Sequence, residues 1–353
     1  MASTITKLGE QKTETTPNCV IRDALDQLSA CETIESARFS QVGWESLYTG
    51  PRSSIAKGAM HTNGGIKAVI IKNIRPGPDC QSHQEAARII ENELSIWNKL
   101  HDHTHVVAFL GLTNLKLDLS DMMGCASRHG MAVSNYHSGG SLHQVLFNQP
   151  QSVHAPSTRL AWLIDAIRGL HYIHSVSVVH GDIKAANIIF DEGAGQAKIG
   201  DFGCSRLVCR AGCDHPDKNL TTPANPAWDS PELYSPQQPA RSFSSDIWAF
   251  GCLALEIQMG RLPYSGTAAR NIMWIQRRML QGHLPATLPD IYSAVTNQKE
   301  SELVWEVIQQ CWNLDPNARP SASNLVDQLE RAQLNAAGGH DADMVDLTLV
   351  YTS

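Results

Sequence analysis

Residues 178–203, VVHGDIKAANIIFDEGAGQAKIGDFG, constrain the fold of this chain more than any other stretch. Short apolar runs bracket a polar loop, the pattern of two strands joined by a turn rich in Asp and Asn. The loop gathers His180, Asp182, Lys184 and Asn187, and Asp201, Phe202 and Gly203 follow the second run. What surrounds this segment differs on its two sides.

On the N-terminal side, from Trp44 to Leu110, the pattern is strand, strand, helix, strand. A β-rich turn region near Tyr48–Lys57 leads through Gly64 and Gly65 to the apolar run AVIIKNI at 68–74. Breakers at 76–78 precede a helical stretch over about 82–100, and VVAFLGL at 106–112 is the next strand candidate. From Ser141 onward helical periodicity dominates, at 158–174, 245–259 and 302–312. The expected architecture is α+β: a small β-rich lobe over about 41–134 with one main helix, then a larger α-helical lobe over about 138–331. Residues 1–40 read as a polar extension, partly disordered, with one short helix around Ile21–Cys31, and 332–353 as a tail outside the fold.

The segment 178–203 resembles the protein-kinase catalytic loop H-R-D-x-K-x-x-N followed by D-F-G, with seven positions matching: His180, Asp182, Lys184, Asn187, Asp201, Phe202 and Gly203. The resemblance implies a bilobal protein-kinase-like fold and a role for each residue. Asp182 would orient the attacking hydroxyl and accept its proton, and Lys184 would neutralise charge on the moving phosphoryl group. Asn187 and Asp201 would supply hard oxygen ligands to the Mg2+ that accompanies ATP. Later segments follow in the same order. WDSPEL (228–233) resembles the A-P-E segment, with Ser230 replacing the alanine. SDIWAFG (245–251) resembles the D-x-W-x-x-G helix, apolar nearly all round and so expected to be buried. CWNLDPNARPS (311–321) resembles the late large-lobe motif, whose Arg319 is expected to pair with Glu232 in a structural ion pair.

In the small lobe AVIIK ends in Lys72, matching the V-A-I-K lysine that holds the α- and β-phosphates. Its glutamate partner is expected on the helix over 82–100. At 100° per residue, Ala86, Ile89, Ile90, Ile96, Trp97 and Leu100 all fall within about 60° of Glu93. Glu91 points roughly 160° away from Glu93, so Glu93 is the expected partner. The remaining nucleotide-contacting positions implied by the resemblance are Gly50, Ile55, Ile70, Ser134, Tyr136 and Ile189. Ser134 would be the gatekeeper before a hinge near Val133–His137.

Three departures stand out. The G-x-G-x-x-G-x-V positions read Tyr48-Thr49-Gly50-Pro51-Arg52-Ser53-Ser54-Ile55, so only the middle glycine remains and Pro51 removes an N–H donor. Ile70 stands where the family usually has the alanine that packs on adenine. Gly181 replaces the arginine of H-R-D, so phosphorylation at Thr221 or Thr222 would lose one docking partner.

Lys184, two residues after Asp182, is the serine/threonine pattern, so the expected partners are ATP and a protein carrying a Ser or Thr hydroxyl. ELSIWNKL, GLHYIHS and ANPAWDSPE look like the tyrosine-kinase-like group of these enzymes, although Asn225 stands where a threonine is usual. The competing reading is a pseudokinase, a binding or scaffolding module on the same fold. Composition closes off other classes. A formal net charge of −7 argues against a nucleic-acid binder, and no run approaches the roughly 20 apolar residues of a membrane span. Nine cysteines and an N-terminus without an apolar h-region make an intracellular, cytoplasmic setting the expectation. Cys204, Cys209, Cys213 and His215 could bind zinc by type, and HDHTH at 101–105 looks metal-like, but loop packing is the expected role of both groups.

Overall fold

The computed structural model describes residues 19–345, apart from 32, 41, 76–79, 81, 101–102, 118–129, 149–153, 210–224, 238, 266–270 and 288–297. Strands β1 (Glu45–Thr49), β2 (Ser53–Thr62) and β3 (Gly65–Ile74) open the small lobe, after helix α1 (Val20–Ser29). Helix α2 (His83–Lys99), β4 (Phe109–Thr113) and β5 (Met131–Asn135) complete it. The five strands form one sheet in the order β1-β2-β3-β5-β4, with every neighbouring pair antiparallel.

The larger lobe is mainly helical: α3 (Leu142–Asn148), α4 (Pro156–Ser175), α5 (Phe243–Met259), α6 (Ile272–Leu280), α7 (Gln298–Cys311) and α8 (Ala322–Val345). Between α4 and α5 lie four short strands, β6 (Val178–Val179), β7 (Ile188–Asp191), β8 (Gln196–Ile199) and β9 (Arg206–Leu207). They pair as β6 with β9 and β7 with β8, so the segment at 178–203 is folded back on itself.

Alternation along β3 sorts its side chains. Val69 and Ile71 pack into a small core with Phe39, Ala56, Met60 and Val133, while Ile70, Lys72 and Ile74 share the face turned toward the other lobe. Helix α2 starts at Ser82, whose hydroxyl accepts the Glu85 N–H at 3.1 Å. Its apolar stripe, Ile90, Leu94 and Trp97, enters the main core, where α1 contributes Ile21, Ala24 and Leu28. The described part of residues 1–40 is therefore packed: Thr33 bridges Leu112 and Phe39 bridges Met60 in strand-like pairs. At the other end, helix α8 runs through residue 331 without a break, because Leu325, Leu329 and Ala332 continue one buried face.

Helix α5 is the centre of the large lobe. Every residue from Ser245 to Met259 is buried, as its nearly continuous apolar surface requires. A reciprocal cap between Ser242 and Ser245 opens it, and Gly260 closes it in the left-handed conformation at φ 55°. Arg319 anchors the same region. Its Nη1 and Nη2 donate to Glu232 at 2.7 and 2.8 Å, and Nη1 and Nε also donate to the carbonyls of Ser244 and Asn313, each at 2.9 Å. The Arg319 side chain is 0% exposed, so a lost partner leaves its charge uncompensated. Glu232→Gln is therefore expected to lower unfolding free energy by about 3 kcal/mol. Urea denaturation monitored by tryptophan fluorescence reads that loss, and a change below about 1 kcal/mol would mean that the pair is screened like a surface one.

Candidate active site

The two lobes enclose a cleft of about 570 Å3. Ile55 and Ile70 line it from the sheet, Ile189 from the large lobe, and Lys72, Glu93, Asp182, Lys184, Asn187 and Asp201 meet at its closed end. Nine of the twelve expected positions thus share one space, although they span 147 residues of chain, from Ile55 to Asp201. Gly50, Ser134 and Tyr136 are not among its lining residues. Ser134 is buried opposite Ile70 in the β3–β5 register, and the Tyr136 N–H donates to the Ala68 carbonyl at 3.2 Å.

Lys72 is the hub of the cleft. Its Nζ donates to Glu93 Oε1 and Asp201 Oδ1, each at 2.7 Å. Burial opposes its charge, but Asp201 and Glu93 outweigh that effect and raise its pKa. The Lys72 charge holds the Asp201 carboxyl down at about 2, against the effect of burial. Glu93 is shifted the other way, upward, by burial. Asp201 carries the firmer negative charge, and its side chain is 50% exposed to the cleft, so one oxygen remains open to a cation. Asp201 itself sits at φ 63°, an uncommon conformation for a residue other than glycine. Glu91, in contrast, is only half-buried.

Phe202 and α2 set the register of this end. Phe202 is fully buried, its ring 6.1 Å from Trp97 and 5.5 Å from His180. Asn92 Nδ2 donates to the Ser205 carbonyl at 2.9 Å, tying α2 to the chain just after Gly203. The face of α2 that carries Glu93 is thereby turned toward Lys72.

The loop at 180–187 is held from beneath by α5. Asp246 Oδ2 accepts the His180 N–H and Oδ1 accepts the Gly181 N–H, both at 2.8 Å, and His174 Nε2 lies 2.9 Å from Oδ2. Burial opposes the Asp246 charge, and the bond from His174 and the loop amide outweigh it, so its pKa is lowered. Near the other end of α5, the buried Glu256 Oε2 accepts the Ala185 N–H at 3.0 Å and the Trp228 indole N–H at 2.7 Å. His180 is buried and its pKa is lowered for that reason. As a neutral ring its Nε2 donates to the Gly200 carbonyl, while Nδ1 accepts the Asp182 N–H, both at 3.2 Å.

These supports present Asp182 to the cleft. Its Oδ2 accepts from Lys184 Nζ at 2.6 Å and from Asn187 Nδ2 at 2.9 Å. With its nitrogen engaged on Asp182, Asn187 keeps its amide oxygen for a cation. Asn187 and Asp201 therefore pair a neutral and an ionised oxygen donor, a fit for a small hard cation such as Mg2+. The walls Ile55, Ile70 and Ile189 are apolar, as a flat aromatic ring requires.

Gly181 stands at φ 82°, and a Cβ there would overlap the Cys204 carbonyl and lie 3.0 Å from Arg241 Cδ. Any side chain at this position, arginine included, needs a rearranged loop. Arg241 instead pairs with the buried Asp229 at 2.8 Å. Thr221 and Thr222 lie outside the described residues, as do Cys213, His215 and His101. Among the described residues no three His, Cys, Asp or Glu side chains gather as a metal cluster. His105 is engaged in packing: its Nδ1 is 3.4 Å from Asp165, and its carbonyl accepts the Ile199 N–H at 2.9 Å. Ile74, Arg52 and Arg75 also line the cleft, beyond the twelve expected positions. The period of two from Ile70 through Lys72 points to Ile74, but no local pattern announces Asp246 or Glu256 as supports for the loop.

The profile of the protein kinase domain matches residues 46–329. The chain is 29% identical over 277 residues to the MAP kinase kinase kinase mkh1 of Schizosaccharomyces pombe, covering 76% of this chain and 22% of that protein. It is 27% identical over 283 residues to the mitogen-activated protein kinase kinase kinase mkh1 of Cytospora mali, covering 78% and 14%. With mitogen-activated protein kinase kinase kinase 2 of Arabidopsis thaliana it shares 28% over 265 residues, covering 74% and 35%. The chain thus matches about a third or less of the length of each of these three relatives.

Replacing Lys72 by Met leaves Glu93 and Asp201 without their shared cation. Asp201, held at about 2 in the native protein, stabilises the fold above its ordinary value near 3.8, and that contribution fades only as pH falls toward 2. In Lys72→Met both carboxyls rise and the folded variant takes up protons that the native protein does not. The melting temperature of the variant should lie below that of the native protein at pH 7, and the gap should narrow by pH 4.5. Differential scanning fluorimetry at the two pH values measures it; a gap that widens on acidification would contradict this charge assignment.

Proposed function

The chain belongs to the protein kinase domain family, and we propose that it transfers the γ-phosphoryl group of ATP, with Mg2+, to a serine or threonine hydroxyl of a protein. The observation that carries this reading is the convergence of Lys72, Glu93, Asp182, Lys184, Asn187 and Asp201 on one cleft. When bound, Mg2+–ATP supplies an activated phosphoryl group whose charge is partly neutralised by the metal. Lys72, fixed by Glu93, supplies a cation for the phosphates nearest the sugar. Asp201 and Asn187 would hold the metal. Asp182 orients the incoming hydroxyl and accepts its proton, and Lys184, already on Asp182, stabilises charge on the phosphoryl group in transit.

The serine/threonine assignment rests on Lys184, two residues after Asp182. Placement in the tyrosine-kinase-like group rests on ELSIWNKL, GLHYIHS and the tryptophan of ANPAWDSPE. Trp228 has a structural task consistent with that likeness, since it and the loop amide of Ala185 share the buried Glu256. The described residues contain no helix long and apolar enough to cross a membrane; an intracellular, cytoplasmic site of action is part of the proposal. A scaffolding role is the alternative favoured by one observation, the Ile70 side chain in the cleft wall.

Two measurements decide between them. Purified protein with Mg2+–ATP and a Ser/Thr-containing acceptor protein should release ADP, and Asp182→Asn should lower that rate by at least about a hundredfold. Equal rates for both would remove Asp182 from the chemistry. Ile70→Ala opens the slot, so it should be less stable without ligand by about 2 kcal/mol yet bind Mg2+–ATP more tightly. Its melting temperature should then rise more on adding ATP than that of the native protein. Equal ATP affinity in the two proteins would show that Ile70 does not narrow the slot.

A further inference from the structure

The hairpin tip between β1 and β2 overhangs the cleft, with Tyr48, Pro51, Arg52 and Ser53 among its lining residues. Its backbone has little to offer an anion. The Gly50 N–H donates to the Ser53 carbonyl at 2.9 Å, and Pro51 has no N–H at all. The Tyr48 ring lies across Gly50 so closely that a Cβ there would overlap its hydroxyl. Arg75 then stiffens the tip: its Nη2 donates to the Gly50 carbonyl at 2.6 Å and the Ser53 carbonyl at 3.2 Å, and its N–H to the Arg52 carbonyl at 2.7 Å. The tip thus offers an anion no amide at residues 50 and 51.

What it does offer is a guanidinium. Arg52 adds a further cation at the overhanging edge, half-buried, on a backbone that Pro51 and Arg75 make rigid. Its charge reaches Glu93 across the cleft and favours the ionised carboxylate there. Guanidinium presents planar paired donors to phosphate oxygens, and a rigid tip reduces the ordering cost of using them.

We propose that Arg52 binds the phosphate chain of the nucleotide, in place of the two amides, at 50 and 51, that this hairpin tip does not offer. The inference rests on the nucleotide reading of the cleft and assigns the phosphate contact to a side chain of the tip. It accounts for Pro51 and the missing glycines together: amides are dispensable where a side chain reaches the same anion.

The test is equilibrium binding by calorimetry of ATP, ADP, AMP and adenosine, with Mg2+, to the native chain, Arg52→Gln and Arg52→Lys. Arg52→Gln should weaken ATP binding by about tenfold, as expected for loss of one charge-assisted contact near solvent. ADP should lose less and adenosine nothing. Arg52→Lys should recover part of the ATP affinity, and raising the salt concentration should weaken ATP binding more for the native chain than for Arg52→Gln. An unchanged ATP affinity in Arg52→Gln overturns the inference while leaving the nucleotide reading intact. So does an equal loss for ATP and adenosine, which would make Arg52 a wall of the slot and not a phosphate contact. If the native chain binds none of the four ligands at millimolar concentration, the nucleotide reading itself falls, and this inference with it.

Discussion

One buried ammonium group joins the two lobes. Lys72 sits on the central strand of the small lobe and bonds at 2.7 Å both to Glu93 of helix α2 and to Asp201 of the large lobe. A charge removed from water is tolerated only with partners, so its burial demands that α2 turn Glu93 inward and that the chain at 201–203 lie close beneath. Other features follow from that demand. Phe202 fills the space between Trp97 and His180, and Asn92 bonds to Ser205, because the segment carrying Asp201 must run alongside α2.

Helix α5 imposes the second constraint. Asp246 and Glu256 are buried carboxylates whose oxygens accept amide hydrogens from the loop at 180–185. Neither touches the cleft, yet together they determine where Asp182 points. A polar loop buried at the junction of the lobes needs acceptors for its N–H groups, and a helix buried on all sides can carry them on a fixed frame. The positive φ at Gly181 belongs to the same arrangement, since both Gly181 and His180 turn their N–H groups toward Asp246.

The departures in the small lobe have physical counterparts. A proline-containing hairpin tip clamped by Arg75 is stiffer than a glycine-rich one, and Ile70 stands in the wall where a smaller side chain would leave room. The large lobe, by contrast, keeps Asp182, Lys184, Asn187 and Asp201, although Gly181 stands where the resemblance implied an arginine. Among the groups that line the cleft, the departures lie where the nucleotide would be gripped, not where the proton and phosphoryl group would move.

Much of the architecture could be read from local spacing. The 100° wheel placed Glu93 amid the apolar stripe of α2 and turned Glu91 away, and the all-round apolarity of residues 245–259 marked α5 as buried. Such features survive in sequence because side chains three, four or two positions apart are neighbours whatever the tertiary fold. The Arg319–Glu232 pair was also legible, but only through the resemblance, since 87 residues separate its members. What tertiary structure alone decided has no local period. The sharing of Lys72 between Glu93 and Asp201, the support of the loop by Asp246 and Glu256, and the packing of α1 against α2 all join distant segments. So does the clamp of Arg75 on the hairpin tip that brings Arg52 over the cleft. Those contacts exist because burial forces each charge and amide to find a partner, and only the packed chain determines which partner is within reach.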